Sequence, residues 1–447
     1  MTVTLSTFRA LQKLDSNRNG LSVDELLSVD KDKNKSISLE EAKAAGFEEA
    51  DRATLNRRLA GKIPQASAFV FTSSEMNALK MLSPLHSHFN TLDTDKNQLL
   101  SSSELGKAIG YPQFKGEESA AITAAYKHIS DMQSLSDDTQ WLPKLPANQY
   151  LDKLPLQNYD ERGISRKDLE QFLDAAAKHD SRVSEAMGRF SMSMYGSMSS
   201  NAEIFPKGIE SIRPDRITQG ELGDCYFLAA IASLSNTPQG KKQIQNMIKD
   251  LGNDRVQVTF PGKQPVTIYK PTQSELSLYS NAGSDGLWLS ILEKAYAHTR
   301  NEQDLTSLVY KRANPYDKIG NGGHLLTGIK GVTGKFLPDT DVLIITPLST
   351  LRLKLQQAIA KKQVVTCGTS PKLPWTDDTT KNGLPLSHAY SVLDFDPKTD
   401  MVTVRNPWGS TEVSDGNGPR DGVDDGTFKM PLSEFKSSFS MICYEGN

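Results

Sequence analysis

The sequence predicts an α+β protein in which a mainly helical front region precedes a region of mixed helices and strands. In the front region, residues 1–182, short loops rich in Asp, Asn and Ser recur between apolar stretches of helical character. In the back region, residues 209–447, a helical apolar stripe is followed by a strand–turn–strand pattern. Residues 183–208 are rich in Ser, Met and Gly and are predicted to form a flexible linker between the two.

Length and composition limit the class of protein. A chain of 447 residues allows about two or three domains, and its hydrophobic content of 37% is sufficient for folded cores. The net charge of −3 and the lack of a dense basic block argue against a nucleic-acid-binding protein. The sequence carries no indication of the oligomeric state.

The sequence also bears on location. It contains no long apolar run that would span a membrane, and its first residues lack the apolar core of a signal peptide. The three cysteines have no metal-binding spacing, which suits a reducing compartment, and Cys367 and Cys443 lie among β-formers as expected for buried residues. We therefore predict a cytoplasmic protein without a membrane span. Dedicated export systems that do not use a signal peptide escape this test.

The run QGELGDCYFLAAIASL, residues 219–234, places a cysteine at the start of an apolar helix. Asp224 is a natural N-cap side chain, and the helix dipole at Cys225 favours the thiolate that covalent peptide cleavage requires. The side-chain amide of Gln219 is a candidate donor to the oxyanion. The alternative is that Cys225 is a small buried residue of a core helix.

A base for this nucleophile is predicted in a β-hairpin, residues 387–410. The segments Ala389–Phe395 and Met401–Arg405 are typical of strands, and the residues between them are typical of a turn. If the turn is centred near Pro397, His388 and Asn406 lie opposite each other at the open end of the hairpin. Asn406 would then accept from Nδ1–H of the imidazole and leave Nε2 to take the thiol proton.

Together these residues resemble the calpain family of cysteine proteases over residues 209–447. The motifs that carry the resemblance are QGELGDCYFLAA, LWLSILEKAYAH, GHLLTGIKGVTG, HAYSV, RNPWG and DDGTFKMPLSEFKSSF. The resemblance implies a papain-like core of two subdomains, residues 209–338 with Cys225 and residues 339–447 with His388 and Asn406. It further implies that Trp408 lies between the subdomains and that Gln219 completes the oxyanion hole.

Two residues depart from the family pattern. Tyr226 follows the cysteine where calpains usually carry Trp. Arg216 stands three residues before Gln219, where calpains have an Asp that helps to bind calcium in the protease core. A guanidinium would replace the charge of that ion, so the resemblance does not carry the core calcium site over to this position.

Calcium-binding loops are instead predicted in the front region. Residues 30–41 and 93–104 each supply oxygen ligands at the spacing of a twelve-residue calcium loop and end in Glu. The ligands are Asp30, Asp32, Asn34, the Ser36 carbonyl, Ser38 and Glu41 in the first loop, and Asp93, Asp95, Asn97, the Leu99 carbonyl, Ser101 and Glu104 in the second. Lys35 and Gln98 replace the usual glycine at position 6 and must accept positive φ at a cost of about 1 kcal/mol. The alternative is a solvated polar loop without an ion.

Two further loops are one residue shorter. Residues 15–25 retain four ligand-type residues and form an additional calcium candidate, with Asp15, Asn17, Asn19 and Glu25. Residues 158–168 carry Arg162 at a ligand position and are predicted to form a structural pseudo-loop. The front region is thus expected to resemble an EF-hand domain.

The combined prediction is an intracellular, calcium-responsive cysteine endopeptidase that hydrolyses protein substrates through an acyl-enzyme. Two other functions share these features. A calcium-binding adaptor with a calpain-like fold would lack turnover, and a papain-fold acyltransferase would pass the acyl group to an amine rather than to water.

Overall fold

The computed structural model describes residues 5–14, 22–60, 73–136, 163–198, 203–302, 315–335, 339–373, 375–414 and 418–446. The chain divides into two compact units, Met1–Tyr195 and Gly196–Asn447. Over these described ranges, no helix combines the length and the apolar character needed to cross a membrane.

The first unit is helical. Its described helices are α1 (Leu5–Leu14), α2 (Val23–Leu27), α3 (Leu39–Ala44), α4 (Arg52–Leu59), α5 (Ser73–Leu92), α6 (Ser102–Ile109), α7 (Glu117–Lys127), α8 (Ile129–Met132), α9 (Arg166–Ala177) and α10 (Ser181–Met198). One core cluster lies around α2 to α4 and includes Leu26, Ile37 and Leu55. A second group of buried side chains, including Phe89 and Phe172, lies where α5 packs against α7 and α9.

The four predicted loops end in the same helix-start motif. In each, a serine side chain accepts from the backbone N–H three residues later, and the acidic side chain there accepts from the serine N–H. The pairs are Ser22 with Glu25, Ser38 with Glu41, Ser101 with Glu104, and Ser165 with Asp168. The capping boxes explain why helices of only five to eight residues begin at defined positions after three of these loops.

The predicted pseudo-loop pairs with the second full calcium loop. The two-residue strands β1 (Leu99–Leu100) and β2 (Ile164–Ser165) form an antiparallel bridge in which Leu100 lies opposite Ile164. In the first full loop, the Asn56 carboxamide takes the place of such a partner. Its Oδ1 accepts from Ile37 N–H at 2.6 Å, and its Nδ2 donates to the Ile37 carbonyl at 2.9 Å.

The linker prediction for residues 183–208 is wrong over most of its length. Helix α10 runs through Met198, and Val183, Ala186 and Phe190 on it are buried in the first unit. Their spacing gives the segment one apolar face, which favours a helix. The prediction relied on the Ser, Met and Gly content and overlooked this periodicity. The division between the units falls between Tyr195 and Gly196.

The second unit begins with a helical part around a small sheet. Its elements are α11 (Cys225–Ser235), α12 (Pro238–Met247), β3 (Ile248–Gly252), β4 (Arg255–Val258), β5 (Val266–Tyr269), α13 (Gln273–Leu276), α14 (Trp288–Glu302), α15 (Pro315–Gly320) and α16 (Leu325–Thr333). Strands β3, β4 and β5 form an antiparallel sheet in that order. The apolar stripe predicted for α14, including Trp288 and Leu292, is fully buried.

The remainder of this unit contains a six-stranded antiparallel sheet. Its strands are β6 (Asp339–Val342), β7 (Val365–Gly368), β8 (Ala389–Asp396), β9 (Met401–Arg405), β10 (Thr427–Pro431) and β11 (Met441–Tyr444), with helices α17 (Leu348–Ala360) and α18 (Leu432–Ser438). The strands lie in the order β10-β9-β8-β7-β11-β6. Cys367 and Cys443 are buried in it, as predicted.

Helix α11 packs on this sheet. Ser391 Oγ on β8 donates to the Ala229 carbonyl on α11 at 2.9 Å, and Ser233 Oγ accepts from Val365 N–H at 2.9 Å. Small residues along α11, with Ala229, Ala230 and Ala232 fully buried, allow this close approach. The helix that begins with the cysteine is therefore fixed against the strand that follows His388.

Candidate active site

Cys225 is the first residue of α11. The preceding Asp224 does not cap the helix with its side chain, contrary to the prediction; its backbone carbonyl accepts from Phe227 N–H at 2.8 Å instead. Burial raises the pKa of the Cys225 thiol to about 11, although hydrogen bonding from the Ala389 backbone N–H opposes the shift. Burial thus favours the thiol, whereas the helix dipole was expected to favour the thiolate.

Helix α11, which begins at Cys225, packs against β8, whose first residue, Ala389, directly follows His388 in the chain. His388 is buried, and its Nε2 lies 2.8 Å from Oδ1 of the fully buried Asn406. Burial lowers the pKa of His388 to about 4, partly offset by this hydrogen bond. The imidazole is therefore neutral in this arrangement and able to accept a proton.

The partners of Asn406 determine which imidazole nitrogen carries the proton. Asn406 Oδ1 also accepts from the Trp408 N–H at 3.0 Å, and Asn406 Nδ2 donates to the Thr411 carbonyl at 3.0 Å. These two bonds fix the orientation of the amide, so the atom facing His388 is an acceptor and Nε2 must donate. The sequence prediction assigned the nitrogens the other way round; Nδ1 is the nitrogen left to accept the thiol proton.

The hairpin itself has a different register from the prediction. Ser391, rather than Ala389, lies opposite Arg405. Asp396 pairs with Met401, so the turn is centred after Lys398 and not at Pro397 as the prediction assumed. An irregularity in β8 between Val392 and Asp394 shifts the pairing back towards the predicted register, but only in part. His388 and Asn406 meet through their side chains just beyond the paired strands.

Aromatic rings surround the imidazole. The Trp408 ring lies 4.5 Å from His388 between centroids, and Tyr390 meets the same imidazole edge-on at 4.9 Å. These rings restrict access of water to the His388–Asn406 hydrogen bond. Trp408 is 40% exposed, so part of its indole is in contact with solvent.

Gln219 lies against the same turn. Its backbone N–H donates to the Pro407 carbonyl at 2.8 Å, which joins the segment before the nucleophile to the segment after Asn406. Its side-chain Nε2 donates to the Leu222 carbonyl at 2.6 Å. One N–H of the amide is thus engaged in orienting the side chain, and the second is left for an oxyanion.

Arg405 is a positioning residue that the sequence prediction missed. Its fully buried guanidinium donates to the Ile217 carbonyl at 2.9 Å and to the Asp425 carbonyl at 2.8 Å. It therefore ties the strand that ends before Asn406 to the segment that leads to Gln219. A charged residue in the apolar strand Met401–Arg405 was the available signal.

Arg216 occupies an ion-pair network. Its guanidinium lies 3.6 Å from one carboxylate oxygen of Asp285, and Lys207 bonds to the other. Asp285 is fully buried. Because cationic side chains engage both oxygens of this carboxylate, the residues around Arg216 do not fit a calcium ion.

The two full loops of the first unit do fit calcium. Asp30, Asp32 and Glu41 bring carboxylate oxygens within 4.8 Å of one another. Lys35 has φ of 63° and donates its N–H to Asp30 at 2.8 Å, so a non-glycine residue adopts the backbone conformation required at position 6.

In the second loop, Asp93, Asp95 and Glu104 form an equivalent group. Gln98 has φ of 68°. Oδ1 of Asp93 is buried and has no hydrogen-bond partner among the described residues, as expected for an oxygen whose partner is a cation. Of the shortened loop, Asp15, Asn17 and Asn19 lie outside the described residues, and Glu25 bonds to Ser22 in a capping box.

Comparison with known proteins agrees with this geometry. A family model described as calpain family cysteine protease matches residues 195–418, half of the chain. This chain belongs to the calpain family.

Curated relatives match about half of the chain. Rat calpain-13 and human calpain-9 are each 25% identical over 51% of this chain, and rat calpain-8 is 27% identical over 51%. The matched regions are 36%, 35% and 34% of those proteins, so the chain spans about a third of the length of the relatives it matches. The family model, over residues 195–418, includes Cys225, His388 and Asn406, and the two full calcium loops lie outside it.

Proposed function

We propose that this protein is a cysteine endopeptidase in which Cys225 is the nucleophile and His388 is the base. The observation that carries the proposal is the fixed amide of Asn406, which holds the proton on Nε2 and leaves Nδ1 of His388 as the acceptor. The packing of α11, which begins at Cys225, against β8, which begins directly after His388, supports this pairing.

The reaction follows from these positions. His388 Nδ1 takes the thiol proton as the sulfur attacks the carbonyl carbon of a peptide bond. The second N–H of Gln219 and the backbone N–H of Cys225 stabilise the oxyanion. The imidazolium then protonates the departing amine, which leaves a thioester on Cys225. Water hydrolyses the thioester, with His388 again accepting a proton, and the thiol is regenerated.

Buried neutral groups affect the timing of the first proton transfer. The pKa of the thiol is raised to about 11 and that of the imidazole is lowered to about 4, in both cases by burial. The free site therefore holds a neutral thiol and a neutral imidazole, and the transfer accompanies attack on the substrate. A substrate that closes the site brings the reacting atoms into the required contact.

The test is hydrolysis of an unfolded protein by the full chain, with new amino termini counted. Cys225→Ala should reduce the rate by about 10⁶-fold because the nucleophile is lost. Cys367→Ala is the matched control: it removes a buried thiol from the same unit and should retain cleavage. Cleavage by purified Cys225→Ala protein at the wild-type rate would refute the assignment.

Product analysis separates the two alternative functions. With an added primary amine, an endopeptidase yields mainly free carboxyl termini, whereas an acyltransferase yields amides. An adaptor yields neither product. The intact Cys225, His388 and Asn406 arrangement favours hydrolysis over the adaptor function.

We further propose that calcium binds at residues 30–41 and 93–104 and controls the protease. The carboxylate groups in both loops and the unpartnered buried oxygen of Asp93 support this. Calcium would be held by the loop carboxylates, and Glu41 and Glu104 would supply the bidentate ligand at position 12. The cytoplasmic location and the protein substrates stay predictions.

Calorimetry on the full chain carrying Cys225→Ala tests calcium binding without self-cleavage. Glu104→Gln should remove one site, because the amide lacks the charge and the second oxygen ligand. Asp168→Asn is the matched control, since Asp168 occupies the same helix-start position in the pseudo-loop and should leave the number of sites unchanged. No calcium uptake by the parent protein at millimolar concentration would contradict the proposal.

A further inference from the structure

Asp224 is a buried acid directly before the nucleophile. It is fully buried, and neither of its carboxyl oxygens has a hydrogen-bond donor among the described residues. It does not cap α11 with its side chain. An unpartnered carboxylate in such a place is costly, so a proton or a second acid must account for it.

Glu293 on α14 supplies the second acid. It is also fully buried; its Oε2 accepts from Ser280 N–H at 2.6 Å, and its Oε1 has no partner within the described ranges. Hydrogen bonding between the two carboxyl groups is among the causes that shift the pKa of Asp224 and of Glu293, and the unpartnered oxygens of both acids are available for it. Two carboxyl groups can bond only if one of them carries a proton.

The described residues provide no ion pair to either acid. In the described part of the chain, no lysine or arginine forms an ion pair with either acid; the neighbouring Lys294 is paired with Glu275 at 2.7 Å. The other titratable groups close enough to interact with the charge of Asp224 are Cys225, Tyr226, Tyr279 and Tyr296. None of these is positively charged, so the pair cannot hold two negative charges.

The pKa values have the directions that such a pair requires. Burial raises the pKa of Asp224 to about 7, and burial together with the charge of Asp224 raises the pKa of Glu293 well above its usual range. When Asp224 ionises, its charge contributes to the raised pKa of Cys225. The thiol therefore responds to the protonation state of the two acids.

We propose that Asp224 and Glu293 form an acid pair next to the nucleophile that holds two protons when neutral and one when ionised, and that this positioning pair sets the charge beside Cys225. While the pair is neutral, the thiol loses its proton to His388 most easily. Ionisation of the pair places one negative charge beside the sulfur and opposes the thiolate. This inference rests on the proposed role of Cys225 as nucleophile and adds a control of its reactivity.

The test measures the rate at which iodoacetamide alkylates Cys225 in the full chain as a function of pH. Asp224→Asn removes the charge and should raise the alkylation rate at pH 8 by about tenfold, because one opposing charge is lost. Glu293→Gln supplies an amide donor that keeps Asp224 ionised, and it should lower the rate by a similar factor at pH 6. A purely structural role would shift both variants in the same direction.

Two controls complete the test. Glu275→Gln removes a buried acid near the pair, whose partners are Lys294 and Tyr316, and it should leave the alkylation profile unchanged. Infrared spectroscopy of the wild-type protein should show a protonated carboxyl group at neutral pH that Glu293→Gln abolishes, which provides a second readout if Asp224→Asn does not fold. Unchanged profiles in both variants, or a wild-type spectrum without the protonated carboxyl, would overturn the proposal.

Alkylation is independent of peptide hydrolysis. If the variants shift the profile in opposite directions but the wild type cleaves no protein, the pair is supported and the proposed function fails. If the protein cleaves peptides but the profiles do not move, the pair is refuted and the endopeptidase assignment stands.

Discussion

Replacing Asn406 by alanine removes the group that fixes the imidazole. Asn406 accepts from His388 Nε2 at 2.8 Å and from Trp408 N–H at 3.0 Å, and it donates to the Thr411 carbonyl at 3.0 Å. In the variant, Nε2–H loses its acceptor in a buried site, and the ring is free to rotate or to place its proton on Nδ1. Either change leaves no acceptor for the thiol proton.

The size of the effect follows from the number of buried groups left unpaired. Each buried donor without a partner costs about 1–3 kcal/mol. If this cost raises the activation free energy by about 1.4–2.8 kcal/mol, kcat/KM falls by about 10- to 100-fold. The fall should lie mainly in kcat, because Asn406 is fully buried and the imidazole that it orients takes part in proton transfer.

The assay compares kcat, KM and Tm of Asn406→Ala with those of Asn382→Ala. Asn382 is a matched control because its amide also makes partly buried side-chain contacts in the same unit, to Glu434 at 3.0 Å and Ser438 at 2.9 Å on α18. Both variants should lose stability, and only Asn406→Ala should lose kcat. Nitrogen NMR of His388 should show the Nε2–H tautomer in the wild type alone. Full kcat in Asn406→Ala, or an equal loss in both variants, would refute the reasoning.

Further variants test the other parts of the account. Gln219→Ala should lower kcat by about 100- to 1,000-fold through loss of an oxyanion donor, and an unchanged kcat would remove Gln219 from the site. Glu41→Gln combined with Glu104→Gln should abolish the calcium response measured between chelator and calcium. A surviving response would contradict control by these two loops and would leave residues 15–25 and the protease unit, where Glu412 Oε2 is buried without a partner among the described residues, as the places to search. Gly323→Ala should lower Tm, because a Cβ there would lie 2.6 Å from the Tyr226 ring, whereas Gly188→Ala meets no atom within 4 Å and should raise it.

The nucleophile segment, the hairpin and helix α14 were predictable because their signals are local. An apolar helix after a cysteine, and β-branched segments around Pro397, depend on short-range preferences. The backbone of the two full loops was predictable for the same reason, including positive φ at Lys35 and Gln98, and calcium binding there stays a prediction. The family resemblance added the two-subdomain arrangement, which no local signal contains.

The features that failed depend on packing. The register of the hairpin depends on where the turn is centred and on a strand irregularity near Leu393, and the nitrogen that faces Asn406 follows from that geometry. Helix α10 was missed because buried Val183 and Phe190 outweigh its Ser and Gly content. The pairing of Asp224 with Glu293 joins residues far apart in sequence, and the only signal was an acid within the apolar stripe of α14.

The measurement that tests the central claim most directly is intact-mass analysis after treatment with a peptidyl chloromethyl ketone. The account predicts one covalent adduct, located on Cys225, with chloride lost as the sulfur–carbon bond forms. The reaction should be much slower in His388→Ala, which lacks the base. Modification of Cys367 or Cys443 in place of Cys225, or an equal rate in His388→Ala, would contradict the assignment of Cys225 as a nucleophile activated by His388.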